Sequence, residues 1–197
     1  MIIRKNFSKD IIVALRRGSV GVIPTDTIYG IVGSALNQRA VRKIYRVRHR
    51  DLRKKMIILI GSISQLGFFR INLDSASRKI LEKLWPGSIS VEVSVQARKI
   101  FYLHRGTKKL SFRLPAQKLL QKFLQQTGPL VAPSANLEGK PPAATISEAR
   151  RYFGDAVDFY VDRGVRRGKP STLISIKNGK IKVLRQGSIA IDKISNR

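Results

Sequence analysis

Apolar and polar positions recur along this chain with two different periods, and each change of period marks a new element. Ile11, Ile12 and Leu15 fall on one side of a helix that Ser8 is placed to cap and Gly18 to close. From Ser19 to Ser34 an apolar run, Val20 to Ile23, meets Pro24 and crowds Thr25, Asp26 and Thr27 into a turn. A second apolar run, Ile28 to Val32, then resumes. That pattern predicts strand, polar turn and strand. Helical spacing returns in Ala40, Val41, Ile44 and Tyr45, which predicts a helix over Gln38 to Val47, and Met56 to Ile60 reads as a buried strand.

Ile80, Leu81, Leu84 and Trp85 share one face of a helix from Ser75 to Trp85, stopped by Pro86-Gly87. Ser88 to Val95 is the clearest strand, with Ile89, Val91, Val93 and Val95 alternating with polar residues. A short strand near Ser111 to Leu114 leads through Pro115 to a helix striped by Ala116, Leu119, Leu120, Phe123 and Leu124. Leu130 to Ala132 is a further strand, ending in Pro133-Ser134-Ala135-Asn136. A helix around Ser147 to Phe153 and strands near Phe159, Leu173 and Val183 complete the chain, with a basic loop from Arg163 to Lys169 that is a candidate lid. Strands alternating with helices, one of them long and amphipathic, predict an α/β fold. The sheet is expected to be twisted, mixed parallel and antiparallel, and flanked by helices, in one domain over residues 1–197.

Composition narrows the chemistry. The 197 residues are 43% hydrophobic, enough for a full core. With no apolar run long enough to span a bilayer and no signal-peptide pattern, the expectation is a soluble, cytoplasmic protein. Zero cysteines exclude a disulfide, a thiolate nucleophile and a cysteine-based zinc site. The formal charge of +27, from 39 Lys and Arg against 12 Asp and Glu, points to a polyanionic partner such as RNA.

Candidate chemistry concentrates in a few places. Thr25, Asp26, Thr27 and Tyr29 sit in the turn between two strands, where the alternative role is a turn satisfying its own backbone. Arg42 to Lys55 holds eight cationic side chains against one acid, Asp51. Arg48, Arg50 and Lys54 lie where the chain turns back from helix to strand, suited to phosphate oxygens. Ser134 and Asn136 follow a strand, as do Arg185-Gln186-Gly187, while Lys169-Pro170-Ser171-Thr172 precedes one. His49 and His104 have no triad partners in a motif. G-x-S-x-G, the P-loop and G-x-G-x-x-G are all absent, and carboxylates are too sparse for a two-metal site. Positioning and cationic stabilisation of anions are the chemistry left.

Taken in order, Pro24-Thr25-Asp26-Thr27-Ile28-Tyr29-Gly30, Arg48-x-Arg50-x-x-x-Lys54, Trp85-Pro86-Gly87, Arg113-Leu114-Pro115, Ser134-Ala135-Asn136 with Gly139, Ser171-Thr172 and Arg185-x-Gly187 resemble the YrdC/TsaC-like threonylcarbamoyl-AMP synthases over roughly the whole chain. The resemblance implies a nucleotidyltransferase of the short type. It would condense L-threonine, bicarbonate or CO2, and ATP into threonylcarbamoyl-AMP and pyrophosphate, for threonylcarbamoyl-adenosine modification of tRNA. Downstream threonylcarbamoyl-transferase proteins would take the product, tRNA or other RNA is an expected partner, and Mg2+ would ride on the ATP phosphates. Carried over residue by residue, Arg50 and Lys54 would position and stabilise the phosphates. Arg48, Ser134, Asn136 and Arg185 would join them in binding ATP, and Thr27, Arg113 and Ser171 would form the threonine pocket.

The chain departs from the family pattern at four places. Arg48 stands where lysine is usual, Lys55 replaces proline, Glu138 replaces serine and Gln186 replaces proline. Glu138 would weaken nucleotide binding if its carboxylate pointed into the phosphate site. Two alternatives stay open: a non-catalytic basic RNA-binding protein on the same fold, or a relative that forms carbamoyl-adenylate.

Overall fold

Strand β2 (Gly21–Pro24) turns directly into β3 (Tyr29–Ser34), and this antiparallel pair is the axis on which the site is built. The computed structural model describes residues 2–96, 98–177 and 180–190. In chain order the other strands are β1 (Ile2–Arg4), β4 (Ile57–Leu59), β5 (Ile89–Ser94), β6 (Lys109–Arg113), β7 (Leu130–Val131), β8 (Phe159–Val161), β9 (Thr172–Lys177) and β10 (Lys180–Arg185). They form one ten-stranded sheet in the order β1-β8-β2-β3-β7-β4-β6-β5-β9-β10. Pairs β1/β8, β2/β8, β4/β6 and β5/β9 are parallel and the remainder antiparallel, so the sheet is mixed as the sequence pattern requires.

Among the described residues six α-helices cover the sheet: α1 (Lys9–Arg16), α2 (Gln38–Val47), α3 (Ser75–Leu84), α4 (Phe101–His104), α5 (Lys118–Thr127) and α6 (Ile146–Phe153). Three of them, α2, α3 and α6, start at short polar side chains that accept otherwise orphaned N–H groups. Asn37 takes the Ala40 N–H at 3.0 Å, Asp74 the Ser77 N–H at 2.7 Å and Thr145 the Glu148 N–H at 3.2 Å. Ser8 occupies the N-cap of α1, but its hydroxyl makes no capping bond.

The strands sort their side chains by period two onto opposite faces. Val22, Tyr29, Ile31, Ile58 and Tyr160 pack with Ala40, Val41, Ile44 and Tyr45 of α2, Leu81 and Leu84 of α3, and Ile146, Ala149 and Phe153 of α6. Their neighbours Ile23, Val32, Leu59, Phe159 and Val161 pack on the other side with Ile11 and Leu15 of α1 and Leu120, Phe123 and Leu124 of α5. Burial of a Val, Leu, Ile or Phe side chain contributes about 1.5–3 kcal/mol, so these two cores hold the sheet rigid beneath the loops. Strand β1 was not legible: its three residues are all exposed, and it exists through parallel pairing with β8 alone.

Candidate active site

A cavity of about 140 Å³ opens where the β2–β3 turn, the ends of β6 and β7, the segment after α2 and the β9–β10 hairpin converge. Thr27, Arg50, Arg113, Ser134, Ser171 and Arg185 all line it, drawn from five separate parts of the chain.

The turn is built by Thr25, which is buried. Its Oγ1 donates to the Ile28 carbonyl at 2.6 Å and accepts the Thr27 and Ile28 N–H groups at 3.2 Å each. Thr25 therefore satisfies the backbone of the turn, which frees Asp26 and Thr27 to face other partners. Asp26 Oδ1 pairs with Arg113 Nη1 at 2.6 Å, and its Oδ2 accepts the Ala116 N–H at 3.1 Å. Arg113 Nη2 reaches Thr27 Oγ1 at 3.4 Å. Arg113 ends β6 and is only 3% exposed. Burial pushes its guanidinium down from the usual arginine range, against the opposing pull of Asp26. Among the described residues its buried Nε has no hydrogen-bond partner.

A second cationic group comes from Arg50 and Arg185. Arg50 is held by the carbonyls of Lys54 at 3.2 Å and Lys55 at 2.9 Å. Arg185 donates to the Ser171 carbonyl at 2.8 Å, at the end of a hairpin fastened by the Gly187 N–H on Thr172 Oγ1. Gly187 is required by space, since a Cβ there would stand 2.3 Å from the Pro170 carbonyl oxygen. Desolvation, followed by the like charge of Arg50, pushes Arg185 down. Two arginines that repel each other across a cavity make a place for an anion.

Arg48, Asn136 and Lys54 are not among the residues lining the cavity. Arg48 is 2% exposed; its Nε donates to the Asn136 carbonyl at 2.9 Å and its Nη2 to Asn136 Oδ1 at 2.8 Å. Burial, with Arg50 as the second cause, pushes Arg48 down to about 10. It stitches the end of α2 to the loop after β7. In that loop Ser134 donates to Asn136 Oδ1 at 2.6 Å, and Ala135 donates to the Tyr29 carbonyl at 2.9 Å. Lys54 is ion-paired with Glu138, whose Oε2 also accepts the Asp51 N–H at 2.6 Å. The Lys54 hydrogen bond, then that of Asp51, holds the Glu138 carboxyl below its usual range. The carboxylate is thus turned to its own loop and to Lys54.

Two supporting residues, Ser90 and Glu92, carried no signal in the motifs. Lys55 lines the cavity and donates to Glu92 at 2.7 Å, while Ser90, fully buried, meets Ser171 at 2.8 Å. Glu92 and Ser90 both lie on the polar side of β5, which strand alternation marks only as the face away from Ile89 and Val91. Tyr29 Oη donates to the Gly164 carbonyl at 2.7 Å and accepts the Arg163 N–H at 3.1 Å. Arg166 donates from its backbone to Ala144, and Gly168 packs where a Cβ would lie 2.6 Å from the Thr27 carbonyl oxygen. The Arg163 to Lys169 stretch is therefore held at Tyr29 and Ala144 and packs against the β2–β3 turn at Gly168.

Among the described residues no group of three His, Cys, Asp or Glu is placed to hold a metal ion, and both Asp26 oxygens are engaged. No helix among them is long and apolar enough to cross a membrane.

Fold and cleft together define a class: an α/β protein with a cationic cleft at the loop end of a mixed sheet, furnished with a buried arginine–carboxylate pair at one wall and paired arginines at another. The chain belongs to the Sua5/YciO/YrdC family, whose model, described as telomere recombination, matches residues 13–187. It is 33% identical over 168 residues to a threonylcarbamoyl-AMP synthase of Thiobacillus denitrificans, covering 85% of this chain and 89% of that one. A threonylcarbamoyl-AMP synthase of Chromohalobacter salexigens is 29% identical over 172 residues, 87% of this chain and 93% of the relative. The crystal structure of Pyrococcus abyssi Sua5 complexed with L-threonine shares the fold, with a TM-score of 0.90 at 24% identity. That match covers all of this chain and 60% of the Pyrococcus chain, so this protein spans about three fifths of that relative.

Proposed function

We propose that this protein is an L-threonylcarbamoyladenylate synthase, a nucleotidyltransferase that condenses L-threonine, bicarbonate or CO2, and ATP to threonylcarbamoyl-AMP and pyrophosphate for modification of tRNA. The observation that carries the reading is the joining, in one cavity, of Thr27 and the Asp26-paired Arg113 with Arg50 and Arg185. An amino acid needs a forked donor for its carboxylate and polar partners for its amine and hydroxyl. Arg113, Thr27 and Ser171, which line the cavity together, would supply them.

The threonine amine attacks CO2, forming an N–C bond and releasing one proton. A carbamate oxygen then attacks the α-phosphorus, the bond from that phosphorus to the bridging oxygen breaks, and pyrophosphate leaves with the electron pair. No protein nucleophile is needed; the work is alignment and neutralisation of developing charge. Arg50 and Arg185 hold the phosphates, Ser134 meets the nucleotide, and Arg48 and Asn136 keep the Ser134 loop in place. Lys54 joins the phosphates by exchanging Glu138 for a phosphate oxygen. Magnesium enters with ATP as part of the substrate, and the product passes to transferase proteins acting on tRNA.

Product analysis tests this reading: the protein is given ATP, magnesium and either threonine with bicarbonate or carbamoyl phosphate, and the adenylates are weighed by mass spectrometry. Threonylcarbamoyl-AMP from the first mixture alone is expected. Carbamoyl-AMP from the second would assign the chain to the carbamoylating relatives, and no adenylate from either would leave the binding-protein alternative.

A further inference from the structure

Lys55 lines the cavity next to Arg50, whose Nη2 donates to the Lys55 carbonyl at 2.9 Å. It stands two residues before Ile57, so strand alternation carries it to the same face as Ile57 and Leu59, which also line the cavity. Leu59 is opposite Arg113, Ile57 is opposite Ser111, and Ser111 is opposite Glu92. One face of β4, β6 and β5 therefore bears the Arg113 fork at one end and Glu92 further along. Lys55 Nζ donates to Glu92 Oε2 at 2.7 Å, and Lys109 Nζ approaches Glu92 Oε1 at 3.2 Å. One carboxylate thus faces two ammonium groups, and Lys109 alone would balance its charge. Lys55 is the more buried of the two, its side chain 19% exposed against 51% for Lys109, and only Lys55 lines the cavity. Among the described residues four cationic side chains line the cavity, Arg50, Lys55, Arg113 and Arg185, and no carboxylate does. Asp26 balances Arg113, while Arg50 and Arg185 are held by carbonyls. The family pattern carries proline at this position, a residue with no donor, so the Lys55 ammonium is an addition to that pattern.

We propose that Lys55 is a further phosphate-binding residue of the cleft: its ammonium takes an oxygen of the β- or γ-phosphate beside Arg50 and stays with the pyrophosphate as the bond to the α-phosphorus breaks. This role rests on the reading of the cleft as an ATP site. An ammonium has three N–H donors and Glu92 takes one, so the carboxylate holds the side chain without exhausting it. A compact charge on a flexible stem can follow an oxygen whose charge grows as the leaving group departs. The pyrophosphate end fits better than the nucleoside end. Ser134, which meets the nucleotide, follows β7, whereas the Lys55 ammonium reaches Glu92 on β5, beyond β4 and β6 in the sheet.

The test is calorimetry with the uncleavable α,β-methylene analogue of ATP and, separately, with AMP, each with magnesium and threonine at physiological salt. Lys55→Met keeps the stem and leaves Glu92 its Lys109. It is expected to weaken binding of the analogue at least about tenfold and of AMP by no more than about twofold. In turnover the same variant should raise KM for ATP and leave KM for threonine unchanged. Lys55→Arg, which keeps the charge, is expected to restore most of the affinity. Lys109→Met removes the same charge from Glu92 outside the cavity and is expected to leave both nucleotides within about twofold. An unchanged Lys55→Met, an equal loss of analogue and AMP, or as large a loss from Lys109→Met would overturn the role of Lys55 while leaving the cleft an ATP site. Wild-type protein that binds neither nucleotide would overturn the ATP reading itself, and this role with it.

Discussion

Replacing Asp26 with asparagine leaves the Arg113 guanidinium buried without a charge partner among the described residues. The two side chains are 10% and 4% exposed, so water screens the pair little. Removing one member of a buried, hydrogen-bonded ion pair costs about 3–5 kcal/mol. Asparagine keeps an oxygen for Arg113 Nη1, but whichever way its amide turns, one of its two contacts, to Arg113 or to the Ala116 N–H, becomes donor against donor. A loss of about 3 kcal/mol is therefore expected, a large share of the 5–15 kcal/mol typical of a folded chain. Trp85 is the chain's one tryptophan, buried with its indole N–H on the Ile89 carbonyl at 2.7 Å, so urea unfolding can be followed by its fluorescence. The midpoint should fall at unchanged slope. Arg113→Met alone should also destabilise, while the two changes together should cost less than their sum, because neither charge then remains unpaired. A single-variant loss below about 1 kcal/mol, or strict additivity of the pair, would refute the ion pair as the strut of this wall.

Arg48→Lys replaces a fork that spans the Asn136 carbonyl and side chain with one ammonium, and should cost about 1–3 kcal/mol in the same unfolding assay; unchanged stability would contradict the stitching role. Tyr29→Phe removes the hydroxyl shared by Gly164 and Arg163, so amide exchange across residues 163–169 should rise at least several-fold with little change elsewhere, and unchanged protection would count against that anchor. Glu138→Ser releases Lys54 and should lower KM for ATP severalfold, whereas a raised KM would show that the ion pair helps the site. Burial alone would raise the Glu92 carboxyl, but hydrogen bonds from Lys55 and Lys109 outweigh it and hold the group below its ordinary value of 4.5. A depressed carboxyl stabilises the fold above its unfolded value and loses that contribution as pH falls through the folded one. The stability advantage over Glu92→Gln should thus be full above pH 4.5 and shrink below it; an advantage that does not change with pH would contradict this.

Where periodicity was strong the chain was readable. Helix α2 spans the predicted Gln38 to Val47 because four apolar residues on one face, and Asn37 before them, leave few other solutions. Strand β1 and the four-residue α4 were not readable, since an exposed three-residue strand and a single helical turn have no period to show. Within the site, sequence placed the cations but not their directions. Arg48, Arg50 and Lys54 look alike in a basic run, yet one is buried 88 positions away on Asn136, one lines the cavity and one is taken by Glu138. Partners of that kind are fixed by how β7 and its loop return beside β3, which no local pattern encodes. The polar side of β5 was equally opaque: alternation identifies Ser90 and Glu92 as facing away from Ile89 and Val91, and only the neighbouring segments bring them behind Ser171 and Lys55 of the cleft wall.

The most direct measurement supplies the purified protein with ATP, magnesium, threonine and carbon-13-labelled bicarbonate, and follows pyrophosphate release beside mass spectrometry of the nucleotide product. Threonylcarbamoyl-AMP that carries the label in its carbamoyl carbon, formed in step with pyrophosphate and absent when threonine is omitted, is the expected result. Pyrophosphate released without threonine, or an adenylate lacking the label, would contradict the proposed chemistry of the cleft.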